Sequence, residues 1–148
     1  NDNSDGQIVL SGKKNDLEKL SEFLKEVKIK NITLPVSAPF HCSLMDKATA
    51  VMSKELQKVN FIGSKNLLIS NVTAQEISNK DELKNLLIKQ IESRVRWRES
   101  VIYMIENGIN HFIEIGPGKV LSGLIKRINK EVKVNTINNE SDIKDLNI

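Results

Sequence analysis

The sequence predicts an α/β chain with a mostly parallel sheet and helices, preceded over residues 1–36 by part of a small α+β subdomain, a βαβ unit. Short β-type runs alternate with stretches of helical period along nearly the whole chain. Leu67-Leu68-Ile69-Ser70-Asn71-Val72 is a continuous apolar run ending in polar residues, the pattern of a strand buried on both faces. A strand, helix, strand order near the start has the length of a βαβ unit. The boundary between the two parts is expected at residue 36, with 37–148 forming the larger α/β part.

Each element has its own signal. Gln7–Gly12 is a β-type run closed by glycine. Between Lys13 and Val27, Leu17, Leu20, Leu24 and Val27 mark one helix face, with Phe23 alongside and Asn15 or Asp16 as cap. Lys30–Val36 reads as the second strand. From Leu44 to Val59, Met45, Ala48, Met52, Leu56 and Val59 keep helical period. Asn79, three residues before Glu82, resembles a capping box and starts a helix with Leu83, Leu86, Leu87 and Ile91. A further helix covers roughly Arg98 to Asn107 and stops at Gly108. His111–Ile115 is a strand, Lys119–Asn129 a helix, and Lys133–Ile137 a last strand. Ser141–Ile148 adds a helical turn.

Composition excludes several classes. At 148 residues, with 39% hydrophobic and 28% charged, the chain reads as a folded domain. Its net charge of +3, from 22 basic and 19 acidic residues, suits an acidic protein or an anionic ligand. The excess is too scattered to argue for nucleic acid. The single cysteine, Cys42, rules out an internal disulfide or a cysteine zinc cluster and fits a reducing, cytoplasmic setting. No apolar run approaches the roughly 18 residues that would span a membrane. The chain opens without Met on a loop-like Asn1–Gly6, so an upstream half is expected outside it.

The stretch most suited to chemistry is Pro35-Val36-Ser37-Ala38-Pro39-Phe40-His41-Cys42-Ser43-Leu44-Met45. Two prolines stiffen a strand-to-helix connection that carries an imidazole, which suits a general base. A hydrogen-bonded structural histidine is the competing reading. Cys42 follows directly, and adjacent side chains diverge on extended backbone, so the two make a poor nucleophile–base pair. Glu114-Ile115-Gly116-Pro117-Gly118-Lys119 brings glycines between a strand and a helix, which suits either an approaching anion or a tight turn. It has neither P-loop nor dinucleotide-binding spacing. Arg94, Arg96 and Arg98 flank Trp97, which reads as a packed indole with snorkelling arginines. His111, at the start of a buried-looking strand, reads as structural. No G-x-S-x-G elbow is present. If His41 is catalytic, its serine lies upstream of Asn1.

Four motifs in order resemble the C-terminal half of the malonyl-CoA:acyl carrier protein transacylase family of bacterial fatty-acid synthesis. They are Asn3–Gly12, similar to N-x-x-x-Q-[IV]-V-[IL]-S-G; Leu34–Met45, similar to L-P-V-S-x-P-x-H-C-x-L-M; Gln90 with Val95, Trp97 and Ser100-Val101; and Glu114–Leu124, similar to E-[IV]-G-P-G-K-V-L-x-G-L. The resemblance implies a ferredoxin-like small subdomain and a hydrolase-like α/β large one. It implies that His41 is the general base for a serine that is malonylated by malonyl-CoA. The malonyl group then passes to the phosphopantetheine thiol of acyl carrier protein. It also implies that the backbone carbonyl of Gln90 orients His41, and that Phe40 narrows the pocket against a substituted malonyl group.

The nucleophilic serine, the arginine that pairs with the malonyl carboxylate and the oxyanion donors are placed in the missing N-terminal half. No bound cofactor or metal is implied. The acidic carrier protein would meet Lys28, Lys30, Lys126 and Arg127. An acyltransferase domain of a polyketide-type synthase is the runner-up, followed by a non-catalytic module that binds acyl carrier protein. Nucleic acid and membrane are not expected partners.

Overall fold

A computed structural model describes residues 1–62, 65–77, 79–144 and 146. The elements run β1 (Asp2–Ser4), β2 (Gln7–Ile8), α1 (Lys14–Glu26), a 3-10 turn (Ser43–Met45), α2 (Asp46–Gln57), α3 (Lys80–Lys89), α4 (Trp97–Glu106), β3 (His111–Ile115), α5 (Val120–Ile128), β4 (Lys133–Ile137) and α6 (Glu140–Lys144). The expected tail helix is thus α6, while residues 145, 147 and 148 lie outside the described ones. Among the described residues no helix is long and apolar enough to cross a membrane.

The best-formed part is β3–α5–β4. The two strands pair in parallel, from His111 opposite Lys133 to Ile115 opposite Ile137, and α5 makes the crossover that a parallel pair requires. One face of this pair carries Phe112 and Val134 onto a core of Val101 from α4, Ile125 from α5 and Val132. Trp97, Met104, Ile105 and Ile128 pack around them.

Helix ends are closed by identifiable groups. Asn79 caps α3, its Oδ1 accepting from the N–H groups of Asp81 at 3.1 Å and Glu82 at 2.9 Å. Helix α4 ends as expected on Gly108, whose φ of +90° is left-handed; Ile109 N–H reaches Met104 O and Gly108 N–H reaches Ile105 O, a Schellman closure. Helix α1 closes the same way with Lys28, at φ +59°, in the position glycine usually takes. Its N-cap is Lys13, not Asn15 or Asp16; Asp16 instead lies in the first turn, where its charge favours the dipole.

Two expected strands are not formed. Lys30–Val36 has no strand partner, because β1 and β2 pair antiparallel with each other. Extended segments become strands only when a neighbour completes the ladder, so no βαβ unit closes within these residues. Residues 67–72 form only an isolated antiparallel bridge, Ile69 with Glu76. The chain turns back on itself there, through Ala74 N–H to Ser70 O and Ile77 N–H to Leu68 O, and among the described residues no parallel partner lies beside it.

The glycine turn after β3 resolves in favour of the tight turn. Gly116 and Gly118 have φ of +133° and +96°, which only glycine adopts readily. The N-terminus of α5 is taken by Glu114, which accepts from Leu121 N–H at 3.1 Å and Ser122 N–H at 2.8 Å. Burial pushes this carboxyl up, but the hydrogen bonding it receives from Ser122 and Leu121 outweighs it and holds the pKa below the ordinary glutamate value.

Val101 is 0% exposed, so Val101→Ala should cost about 2–3 kcal/mol in denaturant unfolding, from lost burial plus the cavity. Glu114→Gln should cost about 1 kcal/mol at pH 7 through the lost charge at the α5 N-terminus. Because the folded-state pKa is depressed, that difference should persist above the ordinary value of about 4.3. It should disappear as pH falls through the lower folded value, as read by melting the two proteins side by side across acid pH.

Candidate active site

His41 sits on the connection between residues 35 and 45, in a backbone conformation it would not choose. Its φ is +62°, a left-handed geometry costing a non-glycine residue about 1–2 kcal/mol. Two bonds to one short segment hold it there. Its N–H donates to Ile91 O at 3.1 Å, and its ring Nδ1 lies 2.9 Å from Gln90 O. The turn around it is closed by Phe40 N–H to Ala38 O at 3.0 Å and by Cys42 Sγ to Pro39 O at 3.2 Å. The 3-10 turn and α2 follow at once, and α2 packs on α3.

Gln90 is the residue at which α3 ends, its own N–H bonding to Leu86 O at 2.9 Å. The last carbonyls of a helix have no intrahelical donor, so Gln90 O is available for a side chain. A carbonyl only accepts. Nδ1 must therefore carry the proton, and Nε2 is left as the basic nitrogen. The arrangement sets the tautomer of a half-buried imidazole and leaves Nε2 able to accept a proton, which is what a general base requires. Among the described residues no hydroxyl or thiol is hydrogen-bonded to Nε2, and Cys42 is turned away toward Pro39.

The other predicted site residues distribute differently. Phe40, next to the imidazole, is 50% exposed. Lys28 and Lys30 are exposed at and just beyond the end of α1. Lys126 donates its Nζ to Lys130 O at 2.9 Å and Val132 O at 2.6 Å, closing the loop after α5. Arg127 bonds to Gln7 Oε1. His111 Nε2 meets Asn135 Oδ1 at 2.8 Å within the β3–β4 pair. Among the described residues no cluster of three His, Cys, Asp or Glu side chains could hold a metal.

Two features were missed in the sequence. The second grip on His41, from Ile91 O, is a backbone contact with no residue-type signature. The arginines around Trp97 do not simply snorkel. Arg94 Nη2 donates to Asp2 Oδ2 at 2.8 Å, Arg98 Nε and Nη2 donate to Asp2 at 3.1 and 3.0 Å, and Arg98 Nη1 donates to Asp5 at 2.7 Å. Arg96 pairs with Glu99. The buried Asp2 draws them, and partners 92 and 96 positions apart leave no local pattern to read.

No protein-family model matches the chain. Malonyl CoA-acyl carrier protein transacylase of Staphylococcus aureus (strain COL) is 41% identical over 148 residues, covering 99% of this chain and 48% of that protein. The chain thus spans about half the length of the curated relatives it matches. Among solved structures, acyl-carrier-protein-S-malonyltransferase of Bartonella henselae superposes with a TM-score of 0.85 at 38% identity, over 90% of this chain and 43% of the other. A malonyl-transacylase in complex with its type II polyketide synthase acyl-carrier protein superposes at 0.84 with 30% identity, over 90% and 43%. In sequence and in fold alike, nearly all of this chain corresponds to about half of a malonyl-CoA:acyl carrier protein transacylase.

Proposed function

We propose that this chain is the histidine-bearing, C-terminal half of an acyltransferase that moves a malonyl group from coenzyme A to the phosphopantetheine thiol of acyl carrier protein. The observation that carries the reading is the pair of bonds from His41 to the Gln90 and Ile91 carbonyls. They leave Nε2 free to take a proton, and the similar proteins are transacylases by name.

In this reading Nε2 removes the proton from a serine hydroxyl as the oxygen attacks the malonyl thioester. The imidazolium then protonates the departing coenzyme A thiolate, leaving malonyl-serine. In the second half Nε2 deprotonates the carrier thiol, which attacks the ester, and the proton returns to the serine oxygen. Gln90 O holds the Nδ1 proton throughout, the role an aspartate has in other triads, with less stabilisation of the imidazolium because it is neutral. The serine, the arginine for the malonyl carboxylate and the oxyanion donors belong to the N-terminal half. Both half-reactions exchange an acyl group between a thioester or thiol and a serine, and need no resident cofactor. Phe40, exposed beside the base, limits the room for a substituent on the malonyl α-carbon. A cytoplasmic location accompanies this chemistry.

The large apolar surface fits a missing half. Ile32, Val36, Ile113 and Ile115 are all exposed. Ile113 and Ile115 lie on the face of the parallel pair opposite Phe112, and parallel sheets are normally covered on both faces. The half that carries the serine would supply that cover.

For carrier protein, Lys28 and Lys30 are the better-placed members of the basic set. Lys126 and Arg127 are occupied with Lys130, Val132 and Gln7, and contribute charge from fixed positions.

In the enzyme assembled from both halves, His41→Ala should lower malonyl transfer to carrier protein about 10²- to 10⁴-fold, the usual share of a general base. A variant with full transfer rate would sink the reading. Reversing Lys28 and Lys30 to Glu should raise KM for carrier protein in a salt-dependent manner, with KM for malonyl-CoA unchanged; carrier kinetics identical to the parent would remove those two lysines from the docking face.

A further inference from the structure

The carbonyls that hold His41 belong to residues 90 and 91, and they are only as well placed as the link that follows α3. That link is anchored downstream at three points. Asp2 N–H donates to Val95 O at 2.9 Å, Arg96 N–H donates to Asn71 O at 3.0 Å, and Arg96 Nη1 donates to Thr73 O at 3.0 Å. Around the first point stands an ion cluster. Both carboxylate oxygens of Asp2 are taken, one by Arg98 Nε and the other by Arg94 Nη2 and Arg98 Nη2.

The asymmetry of this cluster is informative. Asp2 is 5% exposed, whereas the Arg94 and Arg98 side chains are 60% and 38% exposed. An ion pair between exposed partners holds geometry weakly. A buried carboxylate gripped on both oxygens has one arrangement available; without its charge Arg94 keeps Glu99 and Arg98 keeps Asp5, so both guanidinium groups are drawn toward those carboxylates and no longer close over the Val95 carbonyl. Burial pushes the Asp2 carboxyl up, but Arg98 and Arg94 outweigh it and keep it ionised.

We propose that Asp2 is a positioning residue for His41. By holding Arg94, Arg98 and the Val95 carbonyl together, it fixes the link that presents the Gln90 and Ile91 carbonyls, and through them the tautomer and direction of the imidazole. The catalytic part of this inference rests on the proposed general-base role of His41; the structural part does not.

The chain has two histidines, so both imidazoles can be followed individually by nitrogen NMR. In the enzyme assembled from both halves, Asp2→Asn keeps the N–H bond to Val95 and removes the charge. His41 should then move from the Nδ1–H tautomer to a mixture of the two tautomers. His111, held by Asn135, should not change. The kcat for malonyl transfer should fall about tenfold to a hundredfold, the cost of a misplaced catalytic group, with KM for malonyl-CoA unchanged and partial recovery in Asp2→Glu. Arg94→Gln, which removes the more exposed arm, should give the same changes in smaller measure and serves if Asp2→Asn fails to fold.

An unchanged His41 tautomer and unchanged kcat in both variants, with only thermal stability reduced, would overturn the proposal. A parent enzyme without malonyl transfer, but with His41 perturbed by Asp2→Asn, would sink the functional reading and leave the positioning role standing.

Discussion

The constraint on which the site depends is the end of one helix. Helix α3 ends at Gln90, and the carbonyls of Gln90 and of Ile91 just beyond it have no donor within the helix. His41 supplies two, one from its backbone and one from its ring, and in doing so is held at a left-handed φ. The strain and the bonds explain each other. Without the two carbonyls the conformation would relax, and without the conformation the ring would not reach Gln90. A single hydrogen bond then has a chemical consequence, since a carbonyl can accept only Nδ1–H and so assigns Nε2 as the base.

The same rule operates at the other helix ends. Asn79 supplies acceptors to the start of α3, and Glu114 does so for α5. Lys126 supplies donors just beyond α5. The glycine turn before α5 looks from its spacing as if it could receive an anion. The anion is already present as the Glu114 carboxylate, two residues before Gly116. These helix ends are satisfied from within the chain, and at the end of α3 the satisfying group is an imidazole.

Packing is uneven along the chain. The buried cluster lies between α4, α5 and the parallel pair, while α1 and α2 bury no residue completely. Exposed Ile115, at 78%, and Ile32, at 75%, are apolar positions with nothing laid against them. The relatives are about twice as long. The expected strand at Lys30–Val36 is absent for the same reason that these side chains are bare: both need a neighbour that these residues do not contain.

What the sequence determined by itself is what local physics decides. Helical period, the Asn79 cap, the Gly108 stop and the β3–α5–β4 order all depend on residues within a few positions of one another, and all were legible. The motif around His41 was legible too, as were the glycine positions that demand positive φ. Tertiary structure decided the rest, because the relevant partners are far apart in sequence. Whether Lys30–Val36 or Leu67–Val72 becomes a strand depends on a ladder partner; among the described residues the first has none and the second has a single bridge, Ile69 with Glu76. That Ile91 shares the hold on His41, or that Asp2 gathers Arg94 and Arg98 across more than ninety residues, depends on backbone groups and charges that every sequence carries in abundance. Their identity announces nothing; only their placement gives them a role.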